Sequence, residues 1–226
     1  MIEYKKILLK LSGNFLHESK YLKKLSEVIK TIQEEEIKIA IVVGGGNILR
    51  GRNFANIGEK RRNADVMGMY ATVINGIFLT DILNSSGLKT IHLSSLNGKY
   101  TEPYDPLKAK EYLEEKLVII SGGTGAPFFS TDTAGVLRGC EMDIDLMIKG
   151  TDVDGVYSKN PKTGNAKKFS SITYKEIIEK ELKVLDLTAI SLAWEFSLPI
   201  VVLNMTEPEN LLFLLNGEKK GTFIGR

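Results

Sequence analysis

Three apolar stretches of this chain run into turns of small residues: "KILLKLSG", "IKIAIVVGGG" and "LVIISGG". Nothing else in the sequence narrows the fold as much. Runs with little polar alternation belong to strands covered on both faces, which requires helices on both sides of a parallel sheet. The intervening segments supply them. Leu22, Leu25, Val28, Ile29 and Ile32 recur at helical spacing within 20–35. Further helices are predicted over 61–84, 105–116, from about 131, and over 173–180, 186–197 and 207–216. The Asp105-Pro106 pair suits a helix start. Strands are predicted over 6–13, 37–46, 88–93, 117–123, 144–150 and 199–204. The fold class is therefore α/β, a mostly parallel central sheet sandwiched between helices. No linker or repeat divides the 226 residues, so one domain is expected over 1–226. A hydrophobic content of 43% is enough for a sizeable core.

Composition excludes several functions. With 30 basic and 28 acidic residues the net charge is +2, and the one basic cluster, Lys167 and Lys168, is too small for a nucleic-acid surface. No apolar run approaches the ~18 residues of a membrane span, and the charged start "MIEYKKILLKLSG" does not read as a signal peptide. A cytoplasmic location is expected. The one cysteine, Cys140, precludes an intrachain disulfide and reads as a small hydrophobe on a helix. The two histidines, His17 and His92, form no catalytic or zinc set with their neighbours.

In open parallel sheets ligands bind beyond the carboxyl ends of the strands, so the strand-to-helix turns are where function is sought. "LKLSG", "VVGGGN" and "ISGGTGAPFFSTD" all lie there. Bare backbone N–H groups at such turns, with a helix N-terminus behind them, suit phosphate oxygens. Each turn alone also fits a plain tight connection. Neither common phosphate motif is present. No Gly-Lys-Ser or Gly-Lys-Thr occurs, and Leu49 stands where G-x-G-x-x-G, counted from Gly44 and Gly46, needs its third glycine.

Charged residues cluster at the same turns. Lys10 precedes Ser12 and Gly13, Arg50 follows the triple glycine, and Asp132 falls in a first helical turn. A lysine held among N–H donors can neutralise a transferring phosphoryl group. Lys10 also fits a solvated strand end, and Asp132 a first-turn anion favoured by the helix dipole. Asp65, among small and apolar neighbours early in its helix, can accept from sugar hydroxyls or simply lie at the surface. "KGTDVDGVYSKNP" carries turn signals, and Tyr157 within it either stacks on a base or decorates a hairpin.

Taken in order, "VVGGGNILRG", "RNADVMGMYATVINGIFLTD", "GTGAPFFSTDTAGVLRG", "DVDGVYSKNP" and "KELKVLDLTAISLA" resemble the amino acid kinase superfamily, most closely its bacterial-type uridylate (UMP) kinase branch. The resemblance spans nearly the whole chain. It implies phosphoryl transfer from ATP to UMP with Mg²⁺ carried by ATP rather than by a protein metal site. It implies that Lys10, Leu11, Ser12 and Gly13 hold ATP phosphates, with Lys10 the main catalytic cation and Asp132 orienting it. Gly46 and Arg50 would lie on the ATP side, with Thr151, Tyr157 and Asn160 framing the nucleoside. Gly45 and Asp65 would contact UMP, Asp65 at the ribose. Thr124, Gly125, Ala126, Pro127, Phe128, Phe129, Ser130 and Thr131 would wrap its base and phosphate. Lys149 is a second candidate phosphate-facing cation. The family implies a homohexamer, with the N-terminal part mainly binding UMP and the C-terminal part mainly ATP. The chain departs from the family pattern at Asn14, at Asn160, and in the short "NFLHESKYLKK", which lacks a glycine-rich insertion associated with GTP regulation. The rival expectations are an amino-acid or carbamate kinase of the same superfamily, and a non-catalytic nucleotide sensor.

Overall fold

A computed structural model describes residues 4–49, 61–159, 164 and 166–226. Arg50 and Asn160 lie outside the described residues. Strand β1 (Lys6–Leu11) ends at Ser12, whose hydroxyl accepts from the Asn14 N–H and starts a 3-10 turn (Gly13–His17). Helix α1 (Ser19–Glu34), β2 (Lys38–Val43), α2 (Arg61–Ser85) and β3 (Thr90–Ser94) follow. Then come β4 (Glu102–Pro103), α3 (Pro106–Glu115), β5 (Leu117–Ser121), α4 (Thr131–Glu141) and β6 (Leu146–Thr151). The chain closes with β7 (Ser171–Thr173), α5 (Tyr174–Glu179), α6 (Leu187–Phe196), β8 (Ile200–Asn204), α7 (Asn210–Leu215) and β9 (Thr222–Gly225). Asp105 caps α3 by accepting from the Lys108 N–H, with Pro106 behind it, as the sequence predicts.

The strands form one sheet in the order β4-β3-β5-β2-β1-β6-β8-β9-β7, parallel except for the β8–β9 pair. Alternate residues of the central strands enter opposite cores. Ile7, Leu9 and Leu11 join Ile41, Leu146 and Ile148 under α1, α2 and α7. Leu8, Val42 and Met147 face α3, α4, α5 and α6. Lys10 and Lys149 continue this second set, so their side chains rise on the α4 side. Strands β4, β7 and β9 are absent from the sequence prediction, because two to four residues are too few to show a period.

Helix α2 is more apolar than its core face needs. Among the described residues it alone is long and apolar enough to cross a membrane by length and composition, with a mean hydropathy of 1.5. It nonetheless lies across the sheet, with Leu79 and Leu83 fully buried in the core. Its apolar residues exceed what one core-facing stripe needs, and the surplus, Tyr70, Ile74, Ile77 and Phe78, is exposed. Cys140 lies half-buried on α4, and burial pushes its thiol up to about 11, which suits the small-hydrophobe reading.

Candidate active site

Parallel pairing places Lys10 of β1 directly beside Lys149 of β6. Two ammonium groups on neighbouring strands repel. One carboxylate resolves the conflict: Asp132, in the first turn of α4, meets Lys10 Nζ through Oδ1 at 2.9 Å and Lys149 Nζ through Oδ2 at 2.5 Å. All three side chains are only 13–16% exposed, which excludes the solvated strand-end reading of Lys10. Burial opposes ionisation of Asp132, yet Lys10 and Lys149 outweigh it and hold the carboxyl below the ordinary carboxylate range. Burial lowers the pKa of Lys149, with Asp132 opposing and Lys10 adding to the shift. The cluster carries a net positive charge, and an anion with displaceable hydration is its natural complement.

Helix α2 assembles the turns around this centre. Asn75 donates through Nδ2 to Gly44 O and to Asn47 Oδ1, both at 2.7 Å, and accepts from Asn47 Nδ2 at 3.1 Å. Gly13 is wedged into the same lock, with no room for a Cβ against Asn47, Asn75 or Gly44 O. Gly45 approaches α2 so closely that a Cβ would stand 2.8 Å from Gly68 O and 2.9 Å from Ala71 Cβ. Thr72 Oγ1 accepts from the Gly122 N–H at 2.7 Å, joining the third turn to the first two. The glycine run of β2 is thus partly a packing requirement. Neither Asn75 nor Thr72 was singled out in the sequence. Their signal was their polarity, three residues apart, within an apolar helix.

The loop between β5 and α4 carries Thr124 to Thr131. Thr124 Oγ1 bonds within the loop to Ala126. Phe128 adopts φ +76, a strained left-handed conformation for a bulky residue. Its N–H donates to Asp65 Oδ2 at 2.9 Å, and Asp65 also takes both bonds from Arg61 Nε at 2.8 Å. Asp65 therefore faces the loop. Phe128 and Phe129 are exposed, and Ser130 caps α4. A second residue missed in the sequence braces this loop. Arg138, buried on α4, donates through Nη2 to Ser95 Oγ at 2.9 Å and Gly123 O at 3.3 Å. It pairs with Glu141 at 2.6 Å and lies 4.0 Å from the Tyr104 ring.

Beyond the other end of the charged cluster lie two cavities. One, of about 640 Å³, is lined by Lys149, Thr151, Val153, Tyr157, Lys180 and Val184. Tyr157 is held there by its hydroxyl, which donates to Asp154 Oδ1 at 2.7 Å, while Lys168 pairs with the other Asp154 oxygen at 2.9 Å. The second, of about 710 Å³, runs from Asp132 and Lys149 to Leu182, Asp186 and Ile190. Thr151 ends β6 at the cavity rim, and Leu11, Ser12 and Gly13 lead away from Lys10 at the same edge of the sheet. Gly46 follows Gly45 in the β2 turn. The structure thus brings Lys10, Lys149 and Asp132 together, with the Asp65 loop on one side and the Tyr157 cavity on the other.

Residues 5–204 match the model of the amino acid kinase family. The uridylate kinase of Bacteroides thetaiotaomicron is 47% identical, covering 99% of this chain and 99% of that protein. The uridylate kinase of Rickettsia typhi is 45% identical, covering 99% and 96%. Among solved structures, UMP kinase from Bacillus anthracis superposes with a TM-score of 0.94 at 34% identity, over 98% of this chain and 96% of that one. UMP kinase from Ureaplasma parvum gives 0.92 at 32% identity, over the full length of both. With the family model matched over 5–204 and uridylate kinases 45–47% identical over nearly the whole of both chains, the chain belongs to the amino acid kinase family, in its uridylate kinase branch.

Proposed function

We propose that the protein is a UMP kinase, transferring the γ-phosphoryl group of Mg–ATP to UMP to give UDP and ADP. The observation that carries this is the Lys10–Asp132–Lys149 cluster, set at the carboxyl edge of the sheet between a loop and a nucleoside-sized cavity. The acceptor oxygen of UMP belongs to a phosphate whose second pKa is near 6, so it is already ionised at neutral pH and needs no general base. It attacks the γ-phosphorus in line as the bond to ADP breaks. What the protein must supply is alignment and positive charge. Lys10 supplies the charge, Asp132 orients it, and Lys149 is the second cation.

The family resemblance supports the remaining roles. Lys10, Leu11, Ser12 and Gly13 would hold the ATP phosphates, Gly46 and Arg50 would belong to the ATP side, and Thr151, Tyr157 and Asn160 would frame its nucleoside. Gly45, Asp65 and Thr124 to Thr131 take UMP. Both oxygens of Asp132 are engaged by lysines, so this carboxylate would not hold Mg²⁺, which would come bound to ATP and neutralise phosphate charge. The same reading makes the chain one domain, with acceptor binding mainly N-terminal and donor binding mainly C-terminal. It also makes the protein a cytoplasmic homohexamer of pyrimidine nucleotide biosynthesis. Incubation with Mg–ATP and UMP, CMP, aspartate, acetylglutamate or carbamate, followed by ADP release, tests the proposal. UMP gives ADP and UDP. Turnover with a carboxylate or carbamate instead would move the protein elsewhere in the family, and no turnover at all would favour a sensor.

A further inference from the structure

The first turn of α4 is held from outside by a residue to which nothing above gives a role. Asp186 precedes α6 and caps it, its Oδ1 accepting from the Ala189 N–H at 3.1 Å. The same oxygen accepts from Thr133 Oγ1 at 2.7 Å, and Oδ2 accepts from the Ser130 hydroxyl. Ser130 has one proton to donate, and Asp186 takes it. The serine lone pairs are thereby turned to the N–H groups of Asp132 and Thr133, at 3.0 and 3.1 Å. Two residues before Asp186, Val184 O accepts from Lys149 Nζ at 2.5 Å.

One short segment, 184–186, therefore grips both ends of the charged cluster. Its carbonyl holds Lys149, and its carboxylate holds the helical turn that carries Asp132. The segment also lines the donor-side cavities. Ser130, at the other end of the clamp, closes the acceptor loop. We propose that Asp186 is a positioning residue for phosphoryl transfer, locking the first turn of α4 so that Asp132 holds Lys10 and Lys149 at the reacting phosphate. This inference rests on the kinase reading. That reading assigns Asp186 to neither nucleotide, and both its oxygens are taken by Ser130, Thr133 and the Ala189 N–H, so the loss should fall on turnover rather than on binding.

Asp186→Asn is the informative change. Asparagine caps a helix as well as aspartate, but its amide offers one acceptor oxygen where the carboxylate offers two. Either Ser130 or Thr133 then loses the oxygen that accepts its hydroxyl proton, whichever way the amide turns. Steady-state kinetics with Mg–ATP and UMP should show kcat reduced about 10-fold, with both KM values within about 2-fold of wild type. The thermal midpoint should stay within about 3 °C. Thr133→Val should lower kcat in the same way, and Thr133→Ser, which keeps the hydroxyl, should restore it. Amide hydrogen exchange at the start of α4 should quicken in Asp186→Asn and Thr133→Val without any nucleotide present.

Three results would overturn the proposal: a kcat for Asp186→Asn within about 2-fold of wild type, a kcat loss that follows the thermal midpoint across the three variants, or equal losses in the valine and serine variants. A wild-type protein that makes no UDP would remove the kinase reading instead. Exchange at α4 would then decide the clamp, and unchanged exchange in Asp186→Asn would reject it.

Discussion

Lys10 shows how much one lysine depends on its surroundings. In water an ammonium on a strand end contributes little, but here it is largely excluded from solvent and fixed by Asp132 at 2.9 Å. A charge that needs no reorganisation acts strongly on a transition state. Lys10→Ala should therefore lower kcat about 100-fold, or roughly 3 kcal/mol of transition-state stabilisation. Near-normal turnover in a folded variant would take Lys10 out of the mechanism. Asp65 makes a different demand. It holds the Phe128 N–H on the acceptor loop and has no contact with the Tyr157 cavity residues in its bonding pattern. Asp65→Ala should raise KM for UMP about 10-fold or more while KM for ATP changes less than about 3-fold. Initial-rate measurements with each substrate varied would show it, and equal changes would reject the assignment.

At the scale of elements, α2 is the frame of the site. Asn75 and Thr72 bond its buried face to the second and third glycine turns, and Gly13 of the first packs against Asn75. The helix can come this close to the sheet because Gly76 faces His92 on β3: a Cβ there would lie 2.3 Å from His92 Nε2. The imidazole cannot step aside, since Nε2 is bonded to Ser121 Oγ at 2.8 Å and the ring is buried. Burial also holds its pKa down at about 4, so it stays neutral at physiological pH. Gly76→Ala should destabilise the fold by about 1–3 kcal/mol despite alanine's better helix propensity. A denaturant midpoint equal to or above wild type would show that α2 has slack at this contact. The extents of the long helices were legible because the apolar period of α1 is sustained and a glycine of positive φ, Gly87, follows the end of α2. The purpose of Asn75, Thr72 and Arg138 was not, because the partners that give them one, Gly44 and Asn47, Gly122, and Ser95 and Gly123, lie outside their own helices.

At the scale of the molecule, α2 presents Tyr70, Ile74, Ile77 and Phe78 outward, each 42–56% exposed. Their spacing of four, three and one residues forms a single stripe beyond what the core uses. An apolar stripe of this kind on a chain read as a homo-oligomer is the natural place for subunits to meet. Ile74→Glu should lower the mass measured by light scattering after size exclusion, with the secondary structure retained by circular dichroism. An unchanged mass would place the subunit contact on another face.

What the sequence determined by itself was the architecture and the address of the site. Apolar strands ending in small-residue turns permit little besides a covered parallel sheet, and that sheet binds ligands at one edge. Lys10, Asp65 and Asp132 could be chosen on that basis, because residue type and position along an element are local properties. Tertiary structure decided how they combine. Strand register set Lys10 beside Lys149, although 139 positions separate them. Packing brought Asp132 over both, and a later loop brought Asp186 to hold Asp132. These are long-range pairings, and their energies exist only once the chain has closed: like charges become tolerable, and useful, when a third residue from another element neutralises the space between them.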